Sequence, residues 1–444
     1  MRIARAARDA GISPVGIVSS ADRSAGWTKA FDETVCIGGP SPQESYLRLD
    51  AIIQAARQTG CAAVHPGWGF LAENARFAAL CEQHGLTFVG PSPSTMEMMG
   101  LKWPAKVAMR AAGLDLTPGS EGLLQTVDEA VTCANDTGYP VILKADAGGG
   151  GRGMRICRSE ADVREAFPSA RSEAIAAFGN GALFLEKYIT GGRHIEVQVI
   201  GDGRGGAIHL YERECSIQRN HQKLIEESPS PALSDAEREA LGKRAAAAAA
   251  AIHYAGAGTV EFLMPPIPEG SGEGDPKRLN FMEMNTRLQV EHPVTELVTG
   301  VDVVREQLRI AAGGALGFTQ DGLRLEGHAI ECRINAEDPS DGFKPTPGTL
   351  TAFDFPEELG PGSIRVDTHV QTGESIPPYY DSLIAKVIAH GRTRDDAIET
   401  MIRSLSGATI EGVSTTIPLH LAVLQSDEFR SGNYDTLSIP GWQS

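Results

Sequence analysis

The stretch from Phe281 to Glu291, Phe-Met-Glu-Met-Asn-Thr-Arg-Leu-Gln-Val-Glu, alternates with a period of two. Glu283, Asn285, Arg287, Gln289 and Glu291 fall on one face, and Met282, Met284, Thr286, Leu288 and Val290 on the other. That is the pattern of a half-buried strand. The polar face holds two carboxylates, two amides and a guanidinium, with no Lys or Ser. Carboxylate and amide oxygens suit a hard cation, and a guanidinium suits a carboxylate-like or phosphate-like anion. A solvated strand face is the plain alternative.

A second strand, Thr259 to Met264, precedes this stretch across a Pro/Gly-rich excursion from Pro265 to Lys277. Two strands joined by a loop most simply pair antiparallel, which sets Glu261 opposite Glu283. Like charges so opposed cost energy unless a cation lies between them, and this favours a metal site over a solvated face. The strand need not continue past Asn285, and it is expected to end there.

The 444 residues suffice for roughly two to four domains. A formal net charge of −17 disfavours non-specific binding to nucleic acid or to an anionic membrane. The seven cysteines are scattered, odd in number and never in a CxxC, a reduced intracellular pattern rather than a disulfide framework or zinc site. The longest strictly apolar run, Ala245 to Ile252, is far short of a membrane span, and no signal-peptide core opens the chain. A cytoplasmic protein is expected.

Residues 1–91 alternate short apolar strands (Val15–Ser19, Ala62–His65, Thr87–Val89) with helices (Met1–Ala10, Tyr46–Gln58, Ala75–Gln83), which implies a doubly wound parallel α/β domain. Such domains usually begin with a strand. Here the chain begins in the helix, so a first strand is missing or the encoded start lies downstream of the natural one. Residues 92–312 form a second region. Within it, about 118–189 reads as a small lid: strand Val141–Ala145, the run Gly148-Gly-Gly-Gly-Arg-Gly153, strand Met154–Cys157, a helix capped by Ser159 with Asp162, a further helix near Glu173–Phe178, and strand Ala182–Leu185. Strands at Ile195–Ile200 and Ala207–Tyr211, a polar loop from Arg213 to Glu227 and an Ala-rich helix from Asp235 to His253 follow. Residues 327–435 suggest a compact α+β domain.

The glycine run formally matches G-x-G-x-x-G, but a strand follows it where a dinucleotide fold has a helix. A flexible hairpin over phosphates, fed by Lys144, and a tight structural hairpin both remain open. Gly201 to Gly206 reads as a plain hairpin turn. The segment Glu214 to Lys223 gathers Gln218, Arg219, His221 and Lys223. It is a candidate anion site or simply a surface loop. Nothing pairs Cys215 with a base, so it reads as structural.

In order, His65-Pro-Gly-Trp-Gly-Phe-Leu-Ala-Glu-Asn74, Lys144 with the glycine loop to Met154, Glu186-Lys-Tyr188, Arg193-His-Ile-Glu-Val-Gln198, Cys215 to Lys223, Glu283 to Glu296 and Glu331-Cys-Arg-Ile-Asn-Ala-Glu-Asp338 occur along one chain. Together they resemble the biotin carboxylase family of ATP-grasp enzymes, from about Met1 to Asp435. The resemblance implies an N-terminal doubly wound domain, an ATP-grasp domain with a mobile glycine-loop lid, and a C-terminal α+β domain. It implies an ATP-dependent ligase that activates bicarbonate as carboxyphosphate and carboxylates biotin on a carrier protein. By the same resemblance, ATP meets Lys102, Lys144, Gly150, Gly151, the hinge Glu186, Lys187, Tyr188 and Ile189, and His194, Gln218 and His221. Glu261, Glu283 and Asn285 match ligands of Mg2+ (or Mn2+), and the first two also belong to the ATP site. Lys223, Arg287, Gln289, Val290 and Glu291 match the bicarbonate pocket, with Glu291 as general base. Arg333 matches the residue that stabilises the enolate-like biotin. The implied setting is a homodimer serving a carboxylase such as acetyl-CoA carboxylase of fatty acid biosynthesis. No Ala-Met-Lys-Met biotinylation motif occurs, so the biotin carrier and the carboxyltransferase are expected as separate chains.

Four residues depart from the family pattern. Trp68 stands where Tyr is usual, Leu101 replaces the Asp before Lys102, and Asp146-Ala147 replaces small residues before the glycine run. An acid beside a phosphate loop is expected to weaken ATP binding. The rival readings are another ATP-grasp ligase and an inactive, folded protein that only binds partners.

Overall fold

The computed structural model describes residues 1–147, 154–266, 277–356 and 360–442. Its centre is an eight-stranded antiparallel sheet, whose strands are numbered here in chain order: β1 (Arg193–Asp202), β2 (Ala207–Arg219), β3 (Gln222–Ser228), β4 (Ala255–Met264), β5 (Asn280–Asn285), β6 (His328–Asn335), β7 (Ser363–Thr368) and β8 (Leu383–Gly391). Their spatial order is β5-β4-β1-β2-β3-β6-β8-β7. The C-terminal strands therefore extend the ATP-grasp sheet, where the sequence suggested a compact separate unit. The link is the ladder between β3 and β6, which pairs Ile225 with Cys332 and Glu226 with Glu331.

One face of the sheet is apolar. Ile195, Val197 and Val199 of β1, Val260 and Phe262 of β4, and Phe281 and Met284 of β5 bury against Leu241, Ala245, Ala248 and Ala249. Those four lie on the Ala-rich helix Asp235–Ala251, capped by Ser234, whose hydroxyl accepts from the Glu237 N–H. Small side chains let that helix approach closely, and alternation delivers the polar residues of the same strands to the opposite face.

The segment Arg213 to Glu227 is a hairpin, not the loop its polarity suggested. β2 and β3 pair with Arg219 opposite Gln222, leaving Asn220 and His221 as a two-residue turn with φ of 50° and 64°. Positive φ at both positions is the geometry of a type I′ turn, which suits strand twist. Polarity misled because the residues around the turn line a cleft, while Arg213, Glu214, Glu226 and Glu227 are buried in ion pairs. β5 ends at Asn285, as expected.

Residues Val141–Ala145, Arg155–Cys157 and Leu183–Lys187 form a three-stranded antiparallel sheet with Val141–Ala145 central. Its helices, Val127–Thr137 and Glu160–Phe178, give it a core of its own. The second of these runs unbroken for 19 residues, with Pro168 inside it, where two helices were expected. Gly150 and Gly151 lie outside the described residues.

In the N-terminal region Val15–Ser19 pairs in parallel with Glu33–Gly38, and Ala63–Val64 with Thr87–Phe88. The first helix, Arg2–Asp9, is tied to the body by Arg2, which donates to Glu296 at 2.7 Å and also bonds Asp302. Among the described residues no helix is long and apolar enough to cross a membrane.

At the far edge, Asp367 on β7 accepts from Arg365 at 3.0 and 2.6 Å, with Lys386 Nζ at 3.8 Å. Burial alone would raise its carboxyl. The Arg365 hydrogen bonds and the charges of Lys386 and Arg365 outweigh that and hold it at about 2. A depressed carboxylate stabilises the fold above its unfolded value and loses that contribution as pH falls through the folded one. Asp367→Asn is therefore expected to cost about 2 kcal/mol near neutrality, and its gap from wild type in urea unfolding should narrow by about 1 kcal/mol between pH 5 and pH 3.

Candidate active site

Pairing across four strands builds a single polar row. Glu283 on β5 faces Glu261 on β4, Glu261 faces Glu196 on β1, and Glu196 faces Arg213 on β2. Three carboxylates side by side would repel each other, so cations must lie among them.

Arg213, at the end of the row, is fully buried. Its Nε donates to Glu196 at 2.6 Å, Nη1 to Gln198 and Thr295 at 2.7 and 3.0 Å, and Nη2 to Thr259 and Gln289 at 3.1 and 2.5 Å. Lys223 arrives from β3 near the hairpin turn. Its ammonium donates to Glu196 at 2.5 Å, Glu261 at 3.1 Å and Glu291 at 2.7 Å, which uses all three of its protons. Burial opposes its charge, but the three carboxylates prevail and hold it well above the usual lysine value.

Glu291 sits one residue before the helix His292–Thr299. One oxygen takes the Lys223 bond and the other accepts from Arg333 Nη2 at 2.9 Å. Burial would raise it, yet Lys223, Arg333 and Arg213 hold it well below the carboxylate range. Arg333, on β6, is anchored through Nε to Glu226 at 2.6 Å. Burial, with the Glu291 charge added, pushes Glu226 up to about 7 against the pull of Arg333.

Toward the other end of the row, Glu261 also accepts from Asn285 at 2.7 Å and Gln289 at 3.1 Å, and His194 Nε2 lies 3.2 Å away. Glu283 faces open solvent in the cleft. Desolvation within the cleft, and next the Glu261 charge, raise its carboxyl. Arg287 bonds Asn285 Oδ1 at 3.0 Å and Glu73 at 3.1 Å, while Glu73 accepts the Thr286 N–H at 2.8 Å. The N-terminal region thus clamps the strand end. Lys386 Nζ donates to the Val290 carbonyl at 2.5 Å.

Across the cleft, Lys144 donates to Glu186 at 2.6 Å, and Lys106 bonds the other oxygen of the same carboxylate. Burial lowers Lys102 and Lys106 from the ordinary lysine value. The space enclosed is about 450 Å³. It gathers Lys102, Lys144, Glu186, His194, Gln218, His221, Lys223, Glu261, Glu283, Asn285, Arg287, Gln289, Val290, Glu291 and Arg333 from the residues singled out in the sequence. Lys187, Tyr188 and Ile189 are outside its lining, and Lys187 Nζ is spent on the carbonyls of Gly138 and Tyr139, both at 2.9 Å.

His194, Glu196 and Glu261 bring one donor atom each within 4.8 Å of one another, but the Lys223 ammonium already serves two of them. Glu283 is exposed at the cleft, with Glu261 and Asn285 buried beside it on the paired strands β4 and β5. Two carboxylates and an amide oxygen are the donor types that fit a hard divalent cation such as Mg2+ or Mn2+.

The model described as biotin carboxylase, N-terminal domain, matches residues 1–96. That described as carbamoyl-phosphate synthase L chain, ATP binding domain, matches 102–319, and biotin carboxylase C-terminal domain matches 331–440. The chain belongs to the biotin carboxylase family. Biotin carboxylase 1 of Bacillus subtilis is 50% identical over 98% of this chain and 94% of its own length. The biotin carboxylase of Haemophilus influenzae is 47% identical over 97% of this chain and 94% of its own. Among solved structures, the biotin carboxylase domain dimer of Hydrogenobacter thermophilus 2-oxoglutarate carboxylase, in complex with MgADP, ADP and bicarbonate, superposes with a TM-score of 0.90 at 46% identity, covering 98% of this chain and 93% of that one. Campylobacter jejuni biotin carboxylase bound to β,γ-ATP gives 0.91 at 44% identity, covering 98% and 94%.

Several members of the site were not singled out from the sequence. Glu196 was legible, because it alternates with His194 and Gln198 on one strand face. Lys386 was legible too, as the one cation inside an apolar strand. Arg213, Glu226, Lys106 and Glu73 carry no local signal, since their roles come from long-range pairing.

Proposed function

We propose that this cleft uses ATP to carboxylate biotin with bicarbonate, the biotin being borne on a separate carrier protein that hands its carboxyl group to a carboxyltransferase. The observation that carries the reading is the chain Glu261–Lys223–Glu291–Arg333, which links the carboxylate row to a guanidinium on β6 through one buried carboxylate.

Lys102 and Lys144 hold the ATP phosphates beneath a lid formed by residues of about 118–189, and the hinge that follows Glu186 meets the adenine. His194, Gln218 and His221 complete the nucleotide side. A divalent cation held by Glu261, Glu283 and Asn285 would spread the charge developing on the transferred phosphoryl group. Lys223 and Arg287, with the Gln289 amide and the Val290 backbone, hold bicarbonate. They offset the repulsion between one anion and another as attack begins.

Glu291 takes the bicarbonate proton. In the structure its cations make it a weak base. A bound bicarbonate shares Lys223 and Arg333, loosens their hold, and raises the basicity of Glu291 when the substrate is present. Arg333 then faces the ureido oxygen of deprotonated biotin, where a charge-assisted hydrogen bond helps most. The domain reading is 1–91, 92–312 and 327–435, and the working form is a homodimer in the cytoplasm.

The test is ATP hydrolysis by the purified chain with Mg2+, with and without bicarbonate and free biotin. Turnover should require bicarbonate and rise further with biotin. Hydrolysis indifferent to both would overturn the reading in favour of another ATP-grasp ligase, and nucleotide binding without hydrolysis would indicate an inactive protein that only binds partners.

A further inference from the structure

Lys102 opens the helix Lys102–Ala111, and the position that should cap it is Leu101. A leucine side chain has no acceptor, and no side-chain bond from that position caps the helix. The first N–H groups of a helix need partners from outside it. Here they come from a residue more than forty positions away, just past a strand end. The Asp146 carbonyl accepts from Lys102 N at 3.0 Å, and its carboxylate Oδ1 accepts from Trp103 N at 2.8 Å.

Asp146 is 4% exposed. It follows the strand Val141–Ala145 directly and stands two residues after Lys144. Its own N–H donates to the Ala182 carbonyl at 2.9 Å, next to the strand Leu183–Lys187. Trp103 lies against Phe184 with ring centroids 6.2 Å apart, and Phe184 is the cross-strand partner of Lys144. The acid thus ties the helix that carries Lys102 to the sheet that carries Lys144.

We propose that Asp146 is a positioning residue that fixes Lys102 relative to Lys144, so that the two lysines respond to the three-stranded sheet as one unit. The inference rests on the reading of both lysines as ATP-phosphate ligands. A cap at position 101 would complete the helix whatever the sheet did. With the cap on position 146, the N-terminus is complete only when the sheet is docked. The expected penalty of an acid near the phosphates changes sign as well. The carboxylate is spent on a helix N-terminus, where a negative charge is stabilising, and it serves the nucleotide by placing Lys102.

KM for ATP and KM for biotin, measured side by side on the full chain, test this. Asp146→Ala is expected to raise KM for ATP by about fivefold or more, the equivalent of a lost cap, with KM for biotin little moved. Asp146→Asn keeps an accepting oxygen and should raise it less. Adding Leu101→Asp to Asp146→Ala restores a local cap and should recover most of the loss. Three results would each overturn the inference: a lower KM for ATP in Asp146→Ala, an equal rise in both KM values, or no recovery in the double variant. If Asp146→Ala does not fold, the double variant is compared with wild type directly. A folded double variant with tight ATP use supports the inference, and an unfolded one overturns it. Wild-type protein without bicarbonate-dependent ATP turnover defeats the functional reading itself, independently of every variant.

Discussion

Replacing Glu291 by Gln is expected to lower bicarbonate-dependent ATP turnover by roughly 10²- to 10⁴-fold, the range a positioned general base contributes, while nucleotide binding is retained. Glutamine keeps the shape and one accepting oxygen, so the contacts from Lys223 at 2.7 Å and Arg333 at 2.9 Å can partly persist. What it removes is the site that receives a proton. The measurement is a turnover assay at saturating ATP beside a nucleotide titration of the same preparation. Near-normal turnover would reassign the base, and loss of nucleotide binding would make Glu291 structural.

The second large effect falls on stability. Arg213→Met is expected to destabilise the protein by about 3–5 kcal/mol, because truncating one partner leaves the buried Glu196 carboxylate short of a cation. Methionine has similar reach but strands five acceptors at once: Glu196, Gln198, Thr295, Thr259 and Gln289. Urea unfolding of the variant checks it, with Arg8→Met as control. Arg8 makes a similarly short ion pair with Asp32, at 2.5 Å, but both side chains are about half exposed, so its loss should leave stability nearly unchanged. Equal effects from the two substitutions would show that the buried network contributes no more than a surface pair.

Local patterns in the sequence carried far. Alternation from Phe281 to Asn285 marked a strand and its polar face, and the loop before it implied antiparallel pairing, which placed Glu261 opposite Glu283. Composition was less reliable. Arg213 to Glu227 looked like a loop because it is polar, whereas Gln218, Arg219, His221 and Lys223 line the cleft and Arg213, Glu214, Glu226 and Glu227 are buried in ion pairs. Leu101 and Asp146 looked like two unrelated departures from a pattern. Forty-five positions apart, they meet at one helix end, where Asp146 supplies the hydrogen bond that Leu101 cannot.

By itself the sequence determined which residue types were available and which neighbours share a strand face, because side-chain period is a local property of the backbone. It also placed the chain in its family through motifs taken in order. Only the tertiary structure decided that Glu283, Glu261, Glu196 and Arg213 form one row, that Lys223 closes it, and that Arg333 reaches Glu291 from a strand added to the same sheet. Register between distant strands is set by the packing of whole faces, and no short stretch of chain contains that information.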